Sequence, residues 1–236
     1  MLQIETIHWH TLAPQFINEQ SKVLDLGANF GQFAHEIVKR TGCQCVAIEP
    51  APQAFDIIET NANISKQQCA VGGKAGIRKF LFDRENPVGS GFSECEGAID
   101  VEVKTLPGLM SELGWERLDL LKADIEGAEI ELLDSCSDDF LKNQIGQITV
   151  EFHDFCKITP KETVLKTIAR LNRLGFYSLR MSQIGHQDTW HANSNLLPAS
   201  AAEVRYHQIV TRNLVSAKRA AKRTLNRVFR MELPVA

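Results

Sequence analysis

The chain has 236 residues, 44% hydrophobic and 23% charged, with a formal net charge of -3, an ordinary globular composition that excludes disorder, collagen and a disulfide-stapled miniprotein. Seven basic side chains and one acid follow Thr211, so that stretch carries +6 and residues 1–211 carry -9. The acidic body repels nucleic acid, and no uncharged apolar run approaches the roughly 20 residues of a membrane-crossing helix.

The start, MLQIETIHWH, has neither a basic flank nor a continuous apolar core, so no export signal is read there and a cytoplasmic protein is expected. His8 and His10 are read as an exposed pair. The six cysteines, Cys43, Cys45, Cys69, Cys95, Cys136 and Cys156, show no metal-type spacing and are expected as free thiols.

KVLDLG predicts a buried strand, followed by a helix carrying Phe33, Ala34, Ile37 and Val38 on one face, a stop at Gly42, and a second strand in CQCVAIEP. PQAFDIIETNAN predicts the next helix, with Pro52 in its first turn, and QQCAV a third strand. IRKFLF and AIDVEVKTL then break the rhythm as inserted strands, separated by a Gly- and Ser-rich loop. In that loop Gly89, Ser90, Gly91, Phe92 and Ser93 suggest a lid over a site.

LDLLKADIEG and QITVEFHDF are further buried strands, with AEIELLDSC a helix between them. Thr159, Pro160 and Glu162 predict a capping box ahead of a helix with Val164, Leu165, Ile168 and Leu171 on one face, ended by Gly175. FYSLRMS and RYHQIVT are expected as a final antiparallel pair, and His186 and His191, flanking Trp190 in the polar segment between them, as exposed. This alternation predicts an α/β fold: a doubly wound, mainly parallel sheet with an antiparallel C-terminal strand pair and a β insertion between the third and fourth main strands. Residues 1–211 are expected as one domain and 212–236 as a basic tail.

The turn after the first strand reads D-x-G-x-x-x-G, from Asp25 through Gly27, Ala28 and Asn29 to Gly31. A dinucleotide site would place its glycines as G-x-G-x-x-G to seat a pyrophosphate on a helix end. The wider spacing suits a cofactor without phosphate. Glu49 ends the second strand, where a carboxylate can accept both hydroxyls of a ribose. Together these features point to S-adenosylmethionine, with Asp25 and Asn29 toward its methionine end and Pro50 and Ala70 completing the cofactor wall.

Four blocks, DLGANFG at 25–31, AIEP at 47–50, KADIEGAE at 122–129 and EFH at 151–153, resemble the FkbM-type family of S-adenosylmethionine-dependent methyltransferases, from Val23 to about Asp154. The resemblance implies a class I methyltransferase (Rossmann-like) fold and methyl transfer, usually to a hydroxyl oxygen of a sugar, glycan or secondary metabolite. The segment TNANISKQQ departs from the family by lacking its N-G-L turn. An N-methyltransferase of a small molecule and a catalytically silent cofactor-binding module are the alternatives.

Asp124 and Glu126 end one strand and Glu151 and His153 the next, alternate residues that share a side of an extended strand. His153 is expected as general base, since an imidazole titrates near neutral pH. Asp124 would orient base, acceptor or cofactor. Asp124, Glu126, Glu151 and Asp154 offer the oxygens a divalent metal requires, but no metal is assigned.

LVSAKRAAKRTLNRVF repeats apolar residues at helical spacing between basic ones, a basic amphipathic helix. Over 214–230 it reads as a peripheral membrane contact or as a surface that packs on the acidic body or a partner. The scarcity of bulky apolar residues favours packing. The expected partners are a small-molecule or glycan acceptor and no nucleic acid.

Overall fold

The computed structural model describes residues 1–81, 91–94, 96–211 and 213. Gly89, Ser90, Cys95 and the basic stretch 214–230 lie outside the described residues. An N-terminal hairpin, β1 (Glu5–Ile7) and β2 (His10–Leu12), precedes β3 (Lys22–Leu26), α1 (Gln32–Thr41), β4 (Gln44–Ile48), α2 (Pro52–Ile57) and β5 (Ile64–Gln67). Next come β6 (Ala70–Val71), β7 (Gly76–Leu81), β8 (Gly91–Phe92) and β9 (Ile99–Lys104), the inserted sheet, in the order β6-β9-β7-β8.

The chain then runs through α3 (Leu106–Glu112), β10 (Leu118–Ala123), α4 (Glu129–Ser135), α5 (Asp138–Gln144), β11 (Ile145–Phe152), α6 (Lys161–Arg173), β12 (Phe176–Arg180), β13 (His186–Asn193) and α7 (Ala201–Tyr206), with a π-helical turn over His207–Thr211. Among the described residues the main sheet has the order β12-β13-β11-β10-β3-β4-β5, and β13 runs opposite to the other six strands. Connections leave β3 to one side and β10 to the other, so a crevice opens beyond the carboxyl ends of these two strands. This is the doubly wound arrangement with an antiparallel strand near one edge that the sequence predicts.

Strand alternation divides the core. Leu24, Leu26, Leu121, Ala123, Ile148 and Val150 face a cluster completed by α3 to α6, whereas Val23, Leu120 and Trp190 face one completed by the hairpin and α1. The second face also carries polar groups, paired inside the protein. Gln147 Oε1 accepts from Ala13 N and Trp190 Nε1, both at 2.9 Å, and Asp188 accepts from Thr11 N at 2.9 Å and Thr11 Oγ1 at 2.7 Å.

Four sequence expectations change. The third strand of the main sheet is Ile64–Gln67, inside the segment TNANISKQQ, to which no strand is assigned from sequence ahead of Gln67, and QQCAV contributes only Ala70–Val71 to the inserted sheet. RYHQIVT is helical, because Ser200 Oγ accepts from Glu203 N in a capping box that starts α7 just ahead of it. The antiparallel partner of β12 is instead His186–Asn193, whose two histidines are buried and bonded through Nδ1: His186 Nδ1 lies 2.7 Å from Asp154 Oδ2, and His191 Nδ1 lies 2.8 Å from Ser178 Oγ. Before α6 the N-cap is Pro160, with no side-chain cap, so the box expected from Thr159 does not form.

Cys43, Cys45, Cys69, Cys136 and Cys156 are free thiols. No helix among the described residues is long and apolar enough to cross a membrane.

His191 is completely buried, and burial, aided by His186, lowers its pKa from 6.5 to about 3. The folded state therefore gains nothing from its protonation, whereas the unfolded chain takes up a proton below 6.5, so stability complete above that pH falls on acidification. The loss reaches about 2–3 kcal/mol at pH 4.5. Urea midpoints at pH 7.5 and 4.5 should show a smaller acid loss in His191→Gln than in wild type; equal losses would place the acid sensitivity elsewhere.

Candidate active site

The crevice is built on a buried ion pair. Asp25 and Lys122 oppose each other across β3 and β10, with Lys122 Nζ 3.0 Å from Asp25 Oδ1. Burial alone would strip the charge from Lys122, but Asp25, Asp124 and Glu49 raise its pKa above the usual value. Its ammonium also donates to the carbonyls of Leu26 at 3.2 Å and Gly27 at 2.7 Å. Asp25, expected at the methionine end of a cofactor, is thus occupied by Lys122 and does not line the cavity.

Beyond β3 the backbone turns sharply. Gly27 has φ +70, and a Cβ there would lie 1.8 Å from the carbonyl oxygen of Asp124, so only glycine fits. The amides of Gly27 and Ala28 both donate to Ile48 O at 3.0 Å, fastening the turn to the end of β4. Asn29 is also left-handed, at φ 50, and its amide donates to Glu49 Oε2 at 2.7 Å. Ala51 N reaches Glu49 Oε1 at 2.9 Å. Burial raises the Glu49 pKa, against the pull of these two amides.

A cavity of about 420 Å³ lies between these turns and the inserted sheet. Gly27, Asn29, Glu49, Pro50, Ala70 and Asp124 line it as expected, and Ala28 and Gly31 do not; they shape the turn behind it. Glu126, expected among the catalytic acids, lines the same cavity, and Ile57, Val71 and Phe80 are walls that sequence reading does not single out. Phe80 and Phe92 meet edge to face with centroids 6.0 Å apart, and the Arg78 guanidinium covers Phe92 at 3.7 Å. Gly91 and Phe92 of the expected lid are strand β8, paired with β7, and Phe92 lines the cavity.

At the open end, β10 and β11 bring the acids together. His153 lies just past β11, in a turn, so strand alternation does not place it beside Glu151. Its Nδ1 lies 2.9 Å from the fully buried Glu129 Oε1, and its Nε2 lies 3.1 Å from Glu126 Oε2 and 3.8 Å from Asp124 Oδ1. Burial opposes a charge on this ring, but Glu126, Glu129 and Asp124 outweigh it and push the pKa up to about 11. Both ring nitrogens of His153 face carboxylates and the residue does not line the cavity, a placement that favours the protonated ring and sets it beside, rather than at, the point where a base for the acceptor would act.

Asp124 is held down to about 2, because His10, Lys122 and His153 overcome the effect of burial. Glu151 moves the other way, to about 7, through burial and the charge of Asp124. Asp154 stands apart, its carboxylate bonded to the His186 amide and ring, and is no partner of the other acids. His10 was read as exposed with His8; His8 is exposed, but His10 is 98% buried, with Nε2 3.7 Å from Asp124 Oδ2.

The family profile of the methyltransferase FkbM domain matches residues 25–177. Methyltransferase sdnD of Sordaria araneosa is 28% identical over 151 residues, which cover 47% of this chain and 58% of the relative. The 31-O-demethyl-FK506 methyltransferase FkbM of Streptomyces tacrolimicus is 28% identical over 173 residues, covering 56% of this chain and 65% of its own. The chain thus spans less than two thirds of either. A solved Aeropyrum pernix fibrillarin, with natively bound S-adenosyl-L-methionine, superposes at a TM-score of 0.43 with 13% identity, over 75% of this chain and 66% of that one.

Lys122→Met should destabilise the fold by about 3–5 kcal/mol, because it leaves Asp25 buried and unpaired. Adding Asp25→Asn should recover part of that loss. Chemical denaturation of the two single variants and the double variant measures it, and strictly additive losses would mean the pair is not coupled.

Proposed function

The chain belongs to the FkbM methyltransferase domain family, whose methyl donor is S-adenosylmethionine, and we propose that its acceptor is a hydroxyl of a carbohydrate, glycan or secondary metabolite. The observation that carries the cofactor fit is Glu49. Each of its oxygens accepts one backbone N–H, and the carboxylate lines the cavity with acceptor capacity left for the two hydroxyls of a ribose. Ile57, Ala70 and Val71 offer an apolar slot for the adenine, and Gly27, Asn29 and Asp124 line the cavity where the chain that bears the sulfonium would lie.

S-adenosylmethionine supplies an electrophilic methyl group on a positively charged sulfur. The protein must hold the acceptor oxygen in line with it and receive the oxygen's proton. Glu126 is suited to receive it. It lines the cavity, remains partly exposed, and is presented by a left-handed backbone, φ 53, of the kind that concentrates at functional sites. As the oxygen–methyl bond forms and the sulfur–methyl bond breaks, the hydroxyl proton passes to the Glu126 carboxylate. His153, held against Glu129, keeps Glu126 in place and balances the charge of its neighbours.

Transfer to oxygen is supported by the Streptomyces relative, which is named for a 31-O-demethyl acceptor. The acidic body, at -9 over residues 1–211, speaks against a nucleic-acid acceptor. The basic stretch 214–230 is the candidate contact with a membrane or partner.

Calorimetry should show S-adenosylhomocysteine binding to wild type and binding about tenfold to a hundredfold weaker to Glu49→Gln, which loses a charged acceptor. Glu126→Gln should keep wild-type affinity for S-adenosylhomocysteine and lower kcat by roughly 10²–10⁴; unchanged turnover would move the proton acceptor elsewhere. With isotope-labelled methyl, magnetic resonance of the product should report an oxygen-bound methyl. A nitrogen-bound one would overturn the acceptor class.

A further inference from the structure

Glu126 and His153 occupy one side of Asp124. On its other side stands His10, at the end of a hairpin turn in which His8 and Trp9 both have positive φ, 42 and 71. The His10 imidazole is 98% buried and packed edge to face on Phe33, with centroids 5.8 Å apart. Its Nδ1 has no hydrogen-bond partner, and its Nε2 points at Asp124 Oδ2 from 3.7 Å, beyond hydrogen-bond reach. Enclosing an imidazole with its Nδ1 unpartnered and its Nε2 aimed at a carboxylate beyond hydrogen-bond distance is costly unless something else completes the site. Glu151, half-buried on β11, brings a second carboxylate to the same point: the donor atoms of His10, Asp124 and Glu151 all lie within 4.8 Å of one another.

We propose that His10, Asp124 and Glu151 bind a divalent first-row metal ion beside the methyl-transfer cavity. In octahedral coordination with bonds of about 2.1 Å, neighbouring donors stand about 3 Å apart and opposite ones about 4.2 Å, so this spacing closes on one ion with small side-chain movements. Asp124, with 29% of its side chain exposed, and the half-buried Glu151 are free to make them, whereas His10 is fixed by its packing. One imidazole with two carboxylates is a mixed set of borderline and hard donors that suits Mn²⁺, Fe²⁺, Co²⁺ or Zn²⁺.

The charges facing the site are Lys122, behind Asp124, and the Glu126–His153 pair at its flank. The protein supplies three ligands, which leaves positions for an acceptor oxygen. That role rests on the methyl-transfer reading, and the binding itself does not.

Titration of the metal-stripped full chain with Mn²⁺, followed by electron paramagnetic resonance, tests the site. The expected result is one Mn²⁺ per chain, and binding at least about tenfold weaker in His10→Gln and in Glu151→Gln. Affinity for S-adenosylhomocysteine, measured on the same samples, should be unchanged in both variants. Replacing Mn²⁺ by Co²⁺ should give a visible absorption band that changes in His10→Gln. Should His10→Gln fail to fold, Glu151→Gln, at a partly exposed position, carries the test. No Mn²⁺ binding to wild type, or equal binding to the folded variants, would overturn the site. Mn²⁺ binding without S-adenosylhomocysteine binding would uphold it and count against the cofactor assignment instead.

Discussion

The Asp25–Lys122 pair is the constraint on which the crevice depends. Removing two charges from water costs several kcal/mol per ion, so a buried pair of this kind is a poor source of stability. Its effect here is positional. The pair sets β3 against β10 directly, and the same ammonium takes the carbonyls of Leu26 and Gly27 at the start of the turn. The turn then fastens to β4 through Ile48 O and leaves no room between Gly27 and Asp124. Three strand ends are fixed by one side chain, and Glu49 and Asp124 inherit their positions from it.

A second polar layer positions the N-terminal hairpin. Gln147 is bonded to both the amide and the carbonyl of Ala13 and to the indole of Trp190, and Asp188 takes both the amide and the hydroxyl of Thr11. These bonds lie where apolar packing alone would permit the hairpin to slide, because hydrophobic contact is non-directional whereas a paired amide is not. They seat β2 on β11 and β13. His10, immediately before Thr11, is carried to Asp124 by that seating.

The main strands were legible because they are short apolar runs bounded by glycine or acids, and KVLDL, CVAI and LDLLKA each fall on a strand. The cavity was legible through Gly27 and Glu49, whose roles follow from local spacing. Less could be read where long-range pairing decides the outcome. HQDTWHAN looks like a surface segment until Gln147, Asp154 and Ser178 satisfy it from other elements. ISKQ carries one buried apolar residue, Ile64, and becomes a strand because β4 offers it an edge. Lys122 was visible only as part of a motif, and a lysine on a central strand gives no sign of its partner until the register is known. His10 was misread for the same reason, since nothing near it in sequence reveals that Asp124 waits 114 positions along the chain.

Strain at the active edge has an identifiable organiser in Glu129. Its Oε1 accepts from the amides of Ile125 at 3.1 Å and Gly127 at 3.0 Å and lies 2.9 Å from His153 Nδ1, all from a fully buried position on the first turn of α4. Two amides captured two residues apart force a tight bend between them, and the residue at its apex, Glu126, takes the left-handed conformation that a β-carbon disfavours. Gly127 follows at φ +98, where a Cβ would lie 2.5 Å from Ile158. The bend turns the Glu126 carboxylate toward the cavity, and the imidazolium that Glu129 holds meets it there. One buried carboxylate thus shapes the backbone and supplies the counter-charge of the same site, which is why the KADIEGAE segment works as a unit rather than as a row of independent acids.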